Sequence, residues 1–178
     1  MIRHKVWTRL GRHAGGLQWR ILWLAHTSYI AGVSGLIRND AGQVLLFKHA
    51  YWLPARPYGL PTGYAKAGER FEDTVVREVR EETGLAVKVG ELARLKTGFK
   101  LRIEVAYLGE FIGGEAKLDP HEVLAVKFYD IDNLPDGLLP SHRDLIEAHR
   151  FWFKGDDVDR ADAQREADRR DGTEAGDL

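Results

Sequence analysis

The chain of 178 residues has no cysteine. That excludes a disulfide framework, a zinc ribbon, a thiol nucleophile and a redox pair. It also lacks a long apolar run. The longest near the start is Ile21-Leu22-Trp23-Leu24-Ala25, whereas a membrane-spanning helix needs about 20 apolar residues. Arg20, two nearby tryptophans and the want of a small-residue cleavage site also fit a signal peptide poorly, so the expected compartment is the cytoplasm. Net charge is nearly absent as well, at 26 basic against 27 acidic residues. Dedicated nucleic-acid binders are usually strongly basic, so none is expected here.

What is present is 44% apolar side chains, enough for one compact domain without staples. The charge that cancels overall is unevenly placed. Residues 1–27 carry Arg3, Lys5, Arg9, Arg12 and Arg20 with no acid, and Trp7, Leu10, Leu17, Ile21 and Leu24 recur near helical spacing. This segment reads as an amphipathic basic helix, bent at Gly15-Gly16. Packing against the domain, or against a second copy in a homodimer, is its favoured use; contact with a membrane surface is the alternative. Residues 155–178 carry nine acids and four arginines with few large apolar side chains, and read as a mostly disordered tail. The folded domain is thus expected over 28–154.

Within that domain, Tyr29–Ile37 and Gln43–His49 read as a hairpin across Asn39-Asp40-Ala41-Gly42. Ala50–Pro61, with three aromatics and three prolines, reads as a loop. Phe71–Thr83 predicts a helix packed through Val75, Val76 and Val79 and stopped by Gly84. Further strands are expected at Leu85–Val89, Leu101–Ile112 and Val123–Ile131, the last two separated by Gly113-Gly114. A final helix opens at Ser141 with Asp144 three residues on, burying Leu145, Ile146, Ala148 and Trp152. Strands around a central helix make an α+β domain with a mixed sheet.

The chemistry concentrates in GYAKAGERFEDTVVREVREETGL, Gly63 to Leu85. On a helix, Glu78, Glu81 and Glu82 share one face, and three carboxylates at that spacing repel one another. Conflicts of this kind gather at functional sites. An all-oxygen set without histidine or cysteine selects a hard cation, Mg²⁺ or Mn²⁺, and such ions assist displacements at phosphorus. Taken alone, a solvated acidic face with Arg77 and Arg80 as partners is the plainer explanation.

The wider spacing overrides it. The segment resembles the Nudix box, G-x5-E-x7-R-E-U-x-E-E-x-G-U with U aliphatic, at Gly63, Glu69, Arg77, Glu78, Val79, Glu81, Glu82, Gly84 and Leu85. A chance match of this length has a probability below roughly 10⁻⁶. The resemblance implies an α/β/α sandwich of the Nudix hydrolase type. It further implies a pyrophosphohydrolase that cleaves a nucleoside diphosphate linked to a moiety X, releasing a nucleoside monophosphate and a phosphorylated product. By the same resemblance, Gly63, through its carbonyl, and Glu78, Glu81 and Glu82 hold the metal. Glu69, Arg77 and Gly84 are structural, with Arg77 paired to Glu69. Thr62 departs from the family, where glycine is common.

A later loop acid often joins the site in that family. Asp119 and Glu122 are the candidates here, and Glu122 fits better because the run after it resembles the closing strand. Glu78, Glu81 and Glu122 are therefore the candidate catalytic bases. Lys48, Arg56, Lys96, Lys100 and Arg102 are cations near the expected site, of which Lys48, Arg56, Lys100 and Arg102 are taken as substrate-binding. Tyr51, Trp52 and Tyr58 offer base-stacking faces, although loop anchoring is the expected use of at least two of them. The sequence markers of coenzyme A, NADH, ADP-ribose and diadenosine polyphosphate hydrolases are missing, so X stays open among nucleoside triphosphates, nucleotide sugars and dinucleotides. A nucleotide-sensing domain without catalysis is the alternative.

Overall fold

The computed structural model describes residues 29–98 and 101–155. The N-terminal helix, Lys100 and the acidic tail expected from the sequence lie outside the described residues. Among the described residues, seven strands form one mixed sheet: β1 (Ile30–Arg38), β2 (Val44–His49), β3 (Tyr58–Gly59), β4 (Thr62–Tyr64), β5 (Leu85–Gly98), β6 (Arg102–Gly114) and β7 (Val123–Tyr129). The main path runs β3-β2-β1-β6-β5, with β7 on β2 and β4 on β1. Only β1 and β6 pair in parallel; the other named pairs are antiparallel.

Alternation along the strands sends two sets of apolar side chains to opposite faces. Val33, Ile37, Leu45, Phe47, Val105 and Tyr107 meet Val75 and Val79 of α1 (Phe71–Thr83). Leu36, Val44, Leu46 and Ala106 meet Leu145 and Ile146 of α2 (Pro140–Ala148) and Phe153 of α3 (Arg150–Lys154). The result is the expected α/β/α sandwich. Each fully buried aliphatic side chain contributes about 1.5–3 kcal/mol, so both layers are firmly held.

Helix α1 has the predicted bounds. Acidic Glu72 and Asp73 sit in its first turn and Arg80 in its last, as the helix dipole favours. Gly84 adopts a left-handed φ of 72° and donates its N–H to the Arg80 carbonyl.

Other expectations are corrected. The β1–β2 hairpin pairs only next to its turn, at Arg38 and Val44, because β4 takes the same edge of β1 at Gly32–Ser34. The pre-box loop contains a two-residue strand, β3, since the chain leaves Pro57 extended and pairs with Phe47 and Lys48. Strand β5 continues well past Val89, because irregularities around Leu92 absorb the break in alternation. Gly113 and Gly114 end β6 rather than separating it from β7. Ser141 is not the cap of the last helix: Leu139 is, with Pro140 in the first turn and no side-chain cap. That helix also breaks at His149, which turns α3 so that Phe153 is buried, while Ala148 stays exposed and Trp152 only half-buried. The Trp152 ring lies under Arg38, 4.3 Å from the guanidinium carbon.

Candidate active site

Strand β4 holds Gly63 opposite Val33, and α1 crosses behind it. The two meet so closely that a Cβ on Gly63 would lie 2.1 Å from Glu78 Oε1. Only glycine leaves room for that carboxylate against the backbone. Arg77 organises the surroundings. Its Nη1 donates to Glu78 Oε1 at 2.7 Å and to Glu81 Oε2 at 3.2 Å, and its Nη2 donates to the Tyr64 carbonyl at 3.2 Å. The expected Arg77–Glu69 pair is present, with Nε donating to Oε1 at 2.6 Å.

One turn along α1, Glu82 is buried and its Oε2 has no hydrogen-bond partner among the described residues. Burial, then the charges of Glu78 and Glu122, push its carboxyl up to about 8. An ionised Glu82 is therefore costly without a counter-charge. Glu122 arrives from the loop after β6, which is pinned to the end of α1 by Lys117 N–H on the Thr83 carbonyl at 2.8 Å and Asp119 N–H on the Glu82 carbonyl at 3.0 Å. The Glu122 carbonyl in turn accepts from Ala50 N–H at 2.9 Å. Tyr51 follows Ala50, and its hydroxyl is raised by partial desolvation and then by the charges of Glu82, Glu122 and Glu78, although the side chain as a whole is exposed.

The structure thus brings Glu78, Glu82, Glu122 and Tyr51 into one electrostatic group, with Asp119 acting on Glu82 from its edge. Glu81 is half-exposed and leans on Arg77. Among the described residues no three acidic or histidine side chains converge into a ready-made cation cage. The donors nevertheless suit a hard divalent cation: they are all carboxylate oxygens, and one is buried without a partner. A cation there would supply the charge that Glu82 lacks.

The expected cations are dispersed. Lys48 lines a cavity of about 540 Å³ with Trp52, Tyr58 and Leu124. Arg56 is exposed on the same loop, and Lys96 is paired to Glu104 at 3.0 Å. Arg102 lines a different pocket with Arg94, a residue that sequence reasoning missed because nothing local marks it. Trp52 stacks on His49 with ring centroids 3.9 Å apart, and Tyr58 packs on the edge of Tyr129. Both are anchors, while Tyr51 alone of the three aromatics is exposed beside the carboxylates.

The model of the NUDIX domain matches residues 28–167, more than half of the chain. The chain belongs to the NUDIX domain family. An ADP-ribose pyrophosphatase of Methanocaldococcus jannaschii is 32% identical over 128 residues, covering 69% of this chain and 74% of that protein. The NAD-capped RNA hydrolase NudC of Photorhabdus laumondii is 32% identical over 120 residues, but the chain spans only 45% of its length. Among solved structures, a MutT NUDIX hydrolase from Burkholderia pseudomallei superposes with a TM-score of 0.59 at 26% identity, covering 68% of this chain and 98% of that one. With pyrophosphatases among its relatives, this NUDIX protein falls with the hydrolases that act on pyrophosphate bonds. Among the described residues no helix is long and apolar enough to cross a membrane.

Proposed function

We propose that the protein is a Mg²⁺- or Mn²⁺-dependent pyrophosphohydrolase of a nucleoside diphosphate linked to X, yielding a nucleoside monophosphate and a phosphorylated product. The observation that carries this reading is the buried Glu82 carboxylate, its Oε2 without a hydrogen-bond partner, beside Glu78 and Glu122. Glu78, Glu81, Glu82 and the Gly63 carbonyl would hold the cation. When bound, it would polarise the diphosphate and lower the pKa of an attacking water. Arg77 keeps Glu78 and Glu81 oriented, and Glu78, Glu81 or Glu122 takes the proton of the water. Glu122 suits that task because it is exposed, on a loop, and near enough for its charge to act on Glu82. ADP-ribose is the first substrate to try, on the strength of the archaeal relative, even though the sequence near Phe99 lacks the proline common in such enzymes.

The test is a panel of ADP-ribose, nucleoside triphosphates, dinucleotides and nucleotide sugars with Mg²⁺ or Mn²⁺, with product identification. Turnover that stops in chelator and falls at least ~10²-fold in Glu82→Gln supports the reading. No turnover of any member returns the nucleotide-sensing alternative.

A further inference from the structure

On the α2 face of the sheet, next to β4, lies a small pocket of about 100 Å³. Ligand cavities for whole nucleosides are typically 300–1,000 Å³, and a water's share of liquid volume is about 30 Å³. The space therefore fits one compact group. Its walls carry Arg94 and Arg102 from β5 and β6, Ser34 from β1, and Ser141 and His142 from the first turn of α2.

Two guanidiniums in one small pocket repel each other, yet among the described residues neither makes an ion pair. The carboxylate at the rim, Glu104, is engaged by Lys96 at 3.0 Å. Arg102 Nε is buried without a hydrogen-bond partner. Its guanidinium lies flat over Gly32, where a Cβ would come within 2.5 Å of Nη2, and faces the Tyr64 ring at 5.4 Å. His142 adds no charge of its own. Its Nδ1 accepts the Leu60 N–H at 3.0 Å, leaving the ring proton on Nε2. The N-terminus of α2 has no side-chain cap and presents its positive dipole end to the same space. Two half-buried arginines in one pocket, an orphaned Nε donor and an uncapped helix start all call for negative charge.

The pocket also adjoins the carboxylate site. Gly32 pairs with Tyr64 and Ser34 with Thr62 in the β1–β4 register, and the Ser34 and Thr62 hydroxyls are 2.9 Å apart. Gly63, between those two β4 residues, touches Glu78. Glu78 lies on the α1 face of β4 and the pocket on its α2 face, so a ligand serving both would pass over the β4 edge.

We propose that this pocket binds a compact oxyanion, a phosphate or carboxylate borne by the substrate, gripped by Arg94 and Arg102. The proposal rests on the hydrolase reading for its word "substrate", and it narrows the substrate to a nucleotide derivative that presents such an anion across β4 from the hydrolytic carboxylates. The pocket itself is testable without turnover.

The experiment titrates inorganic phosphate into the full-length protein in EDTA and follows backbone amide NMR shifts. Chelation removes any cation that would bridge phosphate to the box. Saturable shifts at Ser141, His142 and the flanks of Arg94 and Arg102 are expected, and Arg94→Gln and Arg102→Gln should each weaken binding about tenfold. Arg102→Lys, which keeps the charge and loses the planar fork, should lie between. Thermal melts of each variant separate lost binding from lost folding, and Arg94→Gln serves if the more enclosed Arg102→Gln fails to fold. ADP-ribose, ATP and UDP-glucose are then added in turn. Reversal of the phosphate shifts by one of them supports a substrate-borne anion. The proposal is overturned by shifts confined to Gly63–Glu82, by unaltered binding in the folded variants, or by phosphate that no nucleotide displaces. Absence of turnover in the panel would count against the hydrolase reading alone, since phosphate binding in EDTA does not depend on it.

Discussion

Arg77 grips Glu69 with both edges of its guanidinium, Nε on Oε1 at 2.6 Å and Nη2 on Oε2 at 3.0 Å. Glu69 also accepts from Lys66 N–H at 2.9 Å and from the Thr74 hydroxyl at 3.0 Å. The Arg77 bonds, followed by the backbone bond from Lys66, hold its carboxyl well below the usual range. One planar cation thus ties the loop before α1 to Glu78 and to the end of β4.

Lysine cannot reproduce that fork. Arg77→Lys should keep the fold but release Glu78 and Glu81, weakening Mg²⁺ or Mn²⁺ affinity or turnover by roughly 10–100-fold. Mn²⁺ titration followed by electron paramagnetic resonance, beside a thermal melt, checks this. Unchanged metal affinity in a folded variant would leave Arg77 a purely structural role.

Gly63→Ala tests the contact between β4 and α1. The new methyl would overlap the Glu78 carboxylate, whose flexible side chain gives way more easily than the backbone. The expected outcome is a folded protein that has lost Glu78 from the site. Turnover should fall at least ~10²-fold with only a small change in melting temperature. Activity near that of the parent would show that Glu78 need not rest against Gly63.

Glu82 sets a pH dependence with a definite sign. Its folded carboxyl titrates at about 8, against roughly 4.3 in an unfolded chain. Between these values the folded state binds the extra proton, so the contribution of Glu82 to metal-free stability should decline as pH rises through that window, and it acts alone above about 6.5, where the buried histidines no longer differ from the unfolded chain. Divalent cation replaces the proton, so its stabilising effect should grow from pH 5 to pH 8. Glu82→Gln should remove both trends. Urea midpoints with EDTA and with Mg²⁺ across that range decide the matter. A metal-free midpoint that does not fall relative to that of Glu82→Gln as pH rises from 6.5 to 8, above the range in which the buried histidines take up protons, would contradict the assignment.

The motif was legible because its chemistry is local: nine spaced residues named α1, its left-handed stop at Gly84 and the carboxylate face. What was illegible depends on pairing. The full length of β5 was hidden because irregularities around Leu92 shift the alternation that marks a strand. The break at His149 follows from where Phe153 finds a cavity, which no helical periodicity announces. Arg94 gains meaning only from its register with Ala106, beside Arg102 across the pocket. Lys48 and Arg102, grouped by charge in the sequence, line separate cavities. Glu122 was readable as a candidate from the strand that follows it, but its place beside Glu82 depends on loop hydrogen bonds that the sequence does not display.

His49 and His142 should make the protein acid-sensitive. Both are buried, His49 stacked on the Trp52 ring and His142 tilted against it. Burial lowers each to about 4, with the Leu60 backbone opposing this slightly at His49 and the charges of His49, Arg102 and Arg94 adding to it at His142. In the unfolded chain both take up protons near 6.5. Between about 6.5 and 4 the unfolded state therefore binds more protons, and stability that is complete above 6.5 is lost as pH falls through the window. Glu82 contributes an opposite slope over part of that range, so the measurement belongs in the Glu82→Gln background. There the urea midpoint should drop steadily from pH 7 to pH 4.5. His142→Asn keeps an acceptor for the Leu60 N–H but does not titrate, and should remove about half of the drop. If the midpoint in that background holds constant to pH 4.5, both imidazoles must already be charged or solvated in the folded protein.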